Sequence, residues 1–263
     1  MMRSILCTTV LATMLTVAVR AQDDPPAPPK TPDPQIAKDV AEFKKLVADK
    51  QMSKDLEARA HLGKWVQSYE TMHPKDQAAV VDVLADVLLR AKQRPPEKIE
   101  LYDAAAVALS RMGKNGAKVL KDAFNHPRFG KSDWVGLRSR LIAALGQTQD
   151  MNYWNFILDT ALRDPEDQIM AKAGEALGNY EKADIKVRRE IVKKLLKRFV
   201  EIHNQSRTES LDDPVAETRK RTYAAIADPW NTTLAKLSGQ AFRSPQDWER
   251  WWNNHKDDNW DKG

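Results

Sequence analysis

The sequence has little of the residues on which several protein classes depend. It contains one cysteine, Cys7, and ten glycines in 263 residues, which excludes a disulfide-rich scaffold and a collagen-like repeat. No uncharged stretch reaches the roughly 20 residues that a membrane-spanning helix needs, so the chain is not a polytopic membrane protein. With 42% hydrophobic and 30% charged residues, the sequence is instead typical of a folded domain with a well-solvated surface.

The sequence also lacks the common catalytic and metal-binding motifs. Its five histidines are far apart, without His-Glu-x-x-His or His-x-His spacing, so no metal site is predicted. It has no Gly-x-Ser-x-Gly elbow, no glycine-rich phosphate loop and no cysteine after Cys7. We therefore predict no catalytic residue, no metal and no cofactor. An enzyme that uses carboxylates brought together by the fold is kept as the third hypothesis.

The first 21 residues have the features of a secretory signal. Arg3 supplies a positive start, residues 4–19 are apolar and uncharged, and small residues precede a cleavage point after Ala21. We expect a secreted or periplasmic protein without a transmembrane segment after cleavage. Loss of Arg3 and Arg20 lowers the formal net charge from +5 to +3.

A proline-rich segment follows the predicted signal. Residues 22–35 include six prolines between positions 23 and 34. Such a composition favours extended polyproline conformations, and it predicts either a linker or a disordered N-terminus of the mature chain.

From residue 36 onward, apolar residues recur at helical spacing. Prolines separate the apolar stripes, and proline disfavours helix continuation because it lacks the backbone donor. The clearest stripe is Ile169, Ala173, Ala176, Leu177 and Tyr180. We predict an all-α protein with helices near 36–49, 53–70, 75–92, 97–112, 114–125, 132–146, 150–163, 165–179, 183–204, 213–226 and 244–255.

These helices also repeat. Leu109, Leu145 and Leu177 each follow an alanine and precede a glycine closely, at separations of 36 and 32 residues. Alanine lets two helices approach, leucine fills the groove between them, and glycine is expected to end each helix in a left-handed cap. Such two-helix units bury both faces only by stacking. We predict a repeat domain at 36–228 and a Trp-rich cap at 229–263.

Two segments carry a resemblance to a known family. Residues 164–178 resemble the second helix of a HEAT repeat, with an acidic turn, an aliphatic residue, small alanines and a closing Ala-Leu-Gly. Residues 137–146 are similar. The resemblance implies a right-handed α-solenoid of about five antiparallel helical hairpins. The repeat spacing is also close to the tetratricopeptide period, but the Trp-x-x-Leu-Gly-x-x-Tyr signature is absent, so that geometry ranks second.

The end of the chain adds to this resemblance. Residues 237–242, followed by Trp248, Trp251 and Trp252, are similar to the tail of exported bacterial HEAT-repeat proteins. The three tryptophans share one side of a helix. They either cover the open end of the last repeat or form an aromatic platform for a sugar ring or a partner's proline.

Positive charge is concentrated in residues 182–221, which hold 12 Lys and Arg against seven Asp and Glu. On the predicted helix 183–204, the apolar stripe leaves the cations on the opposite face. This face is either a solvated helix surface or a patch for an anionic partner, whose binding would weaken as salt rises. The candidate partner-binding residues here are Lys193, Lys194, Lys197 and Arg198.

These features predict a non-catalytic, exported scaffold that binds another protein of the cell envelope or extracellular space. Stacked repeats favour this function because they present an extended face rather than a deep pocket. The alternative is a module that binds a polyanionic or carbohydrate polymer through helix 183–204 and the Trp cluster. Nucleic acid is not expected as a partner, since the chain is predicted to be exported and no loop interleaves aromatics with cations.

Overall fold

The computed structural model describes Pro29, residues 31–207 and residues 214–260. The predicted signal peptide and most of the predicted linker 22–35 lie outside these residues. Within them no β-strand occurs, and eleven α-helices pack in contact with one another. The prediction of an all-α protein is confirmed.

Each of the eleven predicted helices is present. A π-helical turn at Asp86–Arg90 continues the third helix, and the other bounds lie close to those expected except at the end of α10. The helices are α1 (Pro34–Val47), α2 (Asp55–Ser68), α3 (Pro74–Ala85), α4 (Glu100–Ser110), α5 (Gly113–Phe124), α6 (Val135–Gln147), α7 (Trp154–Arg163), α8 (Asp167–Leu177), α9 (Ile185–Ser206), α10 (Ala216–Ser238) and α11 (Pro245–His255).

Several helices begin where proline follows a capping side chain. In α1, Pro34 is the first residue and the Asp33 carboxylate accepts a hydrogen bond of 2.8 Å from the Gln35 amide. In α11, Pro245 is the first residue and the Ser244 hydroxyl accepts a hydrogen bond of 3.1 Å from the Asp247 amide. Proline suits this position because its missing N–H has no helical partner there.

The hairpins contact one another in chain order. Each even-numbered helix from α2 to α8 contacts the next even-numbered helix, and each from α2 to α10 contacts the odd-numbered helix before it. Among the odd-numbered helices, α1 contacts α3, α3 contacts α5, and α7 contacts α9. The last helix, α11, packs against α9.

The helix α10 is twelve residues longer at its C-terminal end than the predicted helix 213–226, and it passes through Pro229. The proline is followed by Trp230, Leu234 and Leu237, which have no exposed surface. Burial of these side chains stabilises the helix across Pro229, although proline normally interrupts a helix. The expected division between repeat domain and cap at 228/229 therefore falls inside a helix. The helix ends at Gly239, whose φ of 73° is left-handed.

Glycine has a different role from the one predicted at two of the repeat positions. Gly113 does adopt a left-handed φ of 53°, but Gly146 lies within α6 and Gly178 has a φ of −61°. A Cβ atom on Gly146 would lie 2.6 Å from Cβ of Ala176. This glycine therefore permits the close approach of α6 and α8 rather than ending a helix.

A further close approach of this kind joins α8 to α10. A Cβ atom on Gly174 would lie 2.0 Å from Nε1 of Trp230, so the indole occupies the space of a side chain at position 174. Trp230 Nε1 donates a hydrogen bond of 3.2 Å to the Met170 carbonyl. Thr233 Oγ1 donates one of 2.9 Å to the Gly174 carbonyl. Both polar groups of α10 are thus satisfied by the backbone of α8.

A buried ion pair fixes the start of α2. The guanidinium of Arg94, whose side chain is 1% exposed, contacts the Asp55 carboxylate through Nε at 2.6 Å and through its terminal nitrogen at 2.7 Å. The Arg94 amide donates a hydrogen bond of 2.9 Å to the Tyr102 hydroxyl. These contacts join α2 to α4 through the segment that precedes α4.

We expect Gly174→Ala to destabilise the protein by about 1–3 kcal/mol, because the new methyl group overlaps the Trp230 ring. Gly63→Ala is the matched control, since its Cβ would meet nothing within 4 Å. In a helix interior this second change should stabilise by about 0.5–1 kcal/mol. Urea unfolding of both variants measures the difference, and equal effects would contradict the packing described.

We expect Asp55→Ala to cost about 3–5 kcal/mol, because it leaves the Arg94 cation buried without its partner. The control is Asp82→Ala, which removes a pair with Arg90 whose side chains are 63% and 56% exposed; its cost should stay below about 1 kcal/mol. Thermal unfolding at neutral pH compares them, and a small loss in the first variant would refute the buried pair.

Candidate functional site

The helix α9 presents cations on one side and its apolar stripe on the other. The Asp184 carboxylate caps its start by accepting a hydrogen bond of 2.8 Å from the Lys186 amide. Ile191, Leu195 and Phe199 have no exposed surface. The prediction of an amphipathic helix is confirmed.

Arg188 is an exception to the predicted cationic face. It is buried, at 6% exposed, and it donates hydrogen bonds of 3.0 Å to the Leu237 carbonyl and 3.1 Å to the Ala183 carbonyl. A cation is favourable at Leu237 because carbonyl groups at the end of a helix carry partial negative charge. Arg188 therefore joins α9 to the end of α10 and does not contribute to the exposed face.

The three clustered tryptophans have different environments. Trp248 has no exposed surface, and its Nε1 donates a hydrogen bond of 2.8 Å to Asn231 Oδ1 in α10. Trp251 is partly buried, with ring-centre distances of 5.9 Å to Trp248 and 5.4 Å to Trp260. Trp248 thus belongs to the core, and a partner cannot reach its ring while α11 stays in place.

Trp252 lies in a groove between α9 and α11. One part of the groove, of about 390 Å³, contains Trp252 beside Lys193 and Lys197. A second part, of about 430 Å³, shares Lys193 and Trp252 with the first. We call both parts together the α9–α11 groove, and its remaining lining residues are Lys186, Arg189, Glu190, Leu196, Val200, Glu201, Glu249, Asn253, Lys256 and Asp257.

The other two predicted cations, Lys194 and Arg198, lie on the side of α9 nearest to α7. Lys194 and Arg198 line a separate depression of about 550 Å³ with Arg163 of α7. Each is engaged in an ion pair, Lys194 with Glu190 at 3.0 Å and Arg198 with Glu201 at 3.4 Å. The four predicted cations are therefore divided between two surfaces, and Lys197 lines both.

The groove is lined by five cations and four carboxylates, and its lysines are not engaged in ion pairs within the described residues. Across the described ranges, no carboxylate lies within ion-pair distance of its four lysines, Lys186, Lys193, Lys197 and Lys256. The side chain of Arg189 is engaged differently, since it donates to the Asp258 carbonyl and lies 5.6 Å from the Trp260 ring centre. The groove can therefore attract anions through lysine while Trp252 offers an aromatic surface.

Sequence reasoning missed part of the groove. Lys186 and Arg189 precede Lys193 by seven and four residues, so helical spacing alone places them on the same face. Lys256 lies just beyond α11, and only the packing of α11 on α9 brings it to the groove. Arg163, on α7, likewise joins Lys194 only through tertiary packing.

A second, apolar groove lies between α2 and α4. It has a volume of about 930 Å³, and its walls include Leu56, which is 75% exposed, and Val107, which is 60% exposed. The sequence signal for it is weak, because Val107 is two residues from the buried Leu109 and residues so spaced lie on different sides of a helix. We call this surface the α2–α4 groove.

In the part of the chain that the structure describes, no three His, Cys, Asp or Glu side chains form a group that could hold a metal ion. No helix in those same ranges is both long and apolar enough to cross a bilayer.

We expect Trp248→Ala to destabilise the protein by about 3–5 kcal/mol, the usual cost of truncating a buried aromatic residue. Trp252→Ala is the control four residues along the same helix, and its partly exposed ring should contribute only a fraction of that. Urea unfolding of both variants provides the comparison. Equal losses would show that Trp252 serves the core as well.

The chain matches no protein-family model, no curated protein and no solved structure. The resemblance to HEAT repeats therefore stays a prediction from the sequence, and function is argued from the two grooves.

Proposed function

We propose that this chain is a non-catalytic, exported scaffold that binds another protein of the cell envelope. In this proposal the hairpins α1–α2, α3–α4, α5–α6, α7–α8 and α9–α10 form a right-handed, HEAT-like α-solenoid. The contact of each even-numbered helix with the next supports such stacking. A surface that extends over several hairpins suits recognition of another macromolecule.

The observation that carries the proposal is the α2–α4 groove. Large aliphatic side chains at its rim, Leu56 and Val107, are mostly exposed, and full burial of such a side chain is worth about 1.5–3 kcal/mol. The groove lies between helices of successive hairpins. An amphipathic helix is the partner element whose apolar face such a groove receives.

Charges on the two walls define the chemistry of this helix further. Arg59 stands on the α2 wall and Glu100 on the α4 wall, and neither has an ion pair within the described residues. Asp103, also on the α4 wall, is paired with Arg140 of α6. The complementary helix therefore has an acidic edge towards α2 and a basic edge towards α4.

The test compares Val107→Lys with Met151→Lys. Each variant serves as bait in envelope extract, and its bound partners are captured by cross-linking at high salt. Met151 is also an exposed apolar residue, at 46%, but it lies outside the groove. We expect residues 22–263 to retain a stoichiometric partner. Val107→Lys should lower the affinity for this partner at least tenfold, and Met151→Lys should leave it unchanged. A tenfold loss corresponds to about 1.4 kcal/mol.

Two outcomes would contradict the proposal. Retention of the same partner by Val107→Lys would show that the groove is not the interface. If the purified chain dimerises and Val107→Lys abolishes the dimer in sedimentation measurements, the occupant is a second copy and not another protein.

A further inference from the structure

We propose that the α9–α11 groove binds a segment of an anionic polysaccharide. In this complex a sugar ring stacks on Trp252, while Lys193 and Lys197 bind acidic groups of neighbouring units. The proposal does not rest on the scaffold function, since the α2–α4 groove and the α9–α11 groove are built from different helices and share no lining residue.

The shape of the groove fits a polymer. Its two parts lie side by side, with Lys193 and Trp252 lining both. Along α9, the rise of 1.5 Å per residue separates Lys193 from Lys197 by roughly 6 Å and from Lys186 by roughly 10 Å. The lysines are therefore spread along α9, where a polymer that follows this helix can meet them in turn.

The cations that the groove offers are point charges. The planar guanidinium of arginine binds carboxylate or phosphate through two parallel hydrogen bonds, and lysine does not. In this groove the cations without an ion-pair partner among the described residues are lysines, whereas Arg189 already contacts Asp258 and Trp260. Lysine acts as a point charge and does not need a bidentate partner.

The acidic residues of the groove suit the hydroxyl groups of a sugar. Glu201 and Glu249 lie on the same walls as Lys193 and Lys197, and Glu190 and Asp257 line the other part of the groove. Sugar hydroxyls donate hydrogen bonds to carboxylates and accept them from the amide of Asn253, which also lines the groove.

Trp252 distinguishes a sugar from an acidic peptide. Its indole is partly exposed and lies between lysines. A ring with one apolar face and a polar rim buries that face on an aromatic side chain while its charged and hydroxyl groups stay near the cations. An acidic peptide needs only the lysines.

The experiment measures binding of polygalacturonate to residues 22–263 by calorimetry, at low salt and at high salt, with neutral dextran and polyglutamate as comparison polymers. We expect binding of polygalacturonate that weakens at least tenfold at high salt, and no binding of dextran. The double variant Lys193→Gln/Lys197→Gln should lose at least tenfold in affinity. Trp252→Ala should lose a similar factor, and Trp252→Phe should recover part of it.

The matched control is Lys114→Gln/Lys118→Gln. These lysines are also exposed and four residues apart, but they lie on α5, and their replacement should leave affinity unchanged. Circular dichroism of every variant verifies the helical fold. Equal losses in both double variants would overturn the site, because attraction would then depend on net charge alone. Polyglutamate binding as tight as polygalacturonate, with no effect of Trp252→Ala, would overturn the sugar assignment.

Discussion

The packing of Trp230 over Gly174 is the contact on which the C-terminal half of the fold depends. The indole fits against α8 only because position 174 has no side chain, and this contact holds α10 in helical form beyond Pro229. The next residue, Asn231, receives the indole hydrogen bond of Trp248. Since this hydrogen bond joins α11 to α10, the α8–α10 contact also determines where α11 sits on α9. The α9–α11 groove is a consequence of that placement.

This arrangement places the three clustered tryptophans in different environments. Burial of Trp248 attaches α11 to the core, and Trp251 lies beside the rings of Trp248 and Trp260. Trp252, one residue further, lies beside the lysines of α9, with its ring centre 6.0 Å from that of Trp260. One helix therefore combines a buried attachment with a partly exposed aromatic ring.

The sequence is informative about the elements and less so about their contacts. Apolar periodicity and prolines predict all eleven helices, because both signals act within a few residues. The role of Gly146 depends on Ala176, which lies 30 positions away. The length of α10 depends on the packing of Trp230 against Gly174, which lies 56 positions away. In the sequence, Arg188 stands in a run of cations. In the structure it is buried and donates a hydrogen bond to the Leu237 carbonyl. The α2–α4 groove has the weakest signal, since only the fold shows that Leu56 and Val107 are exposed together.

Amide hydrogen exchange in Gly174→Ala measures most directly whether the α8–α10 contact supports the groove. If Trp230 positions α11 through Asn231 and Trp248, exchange should accelerate in residues 245–255 as well as in α8 and α10, while α1 to α4 keep the protection of the parent chain. The same pattern should be absent in Gly63→Ala. Unchanged protection of residues 245–255, together with faster exchange in α8 and α10, would show that α11 is held independently of this contact and would contradict the account.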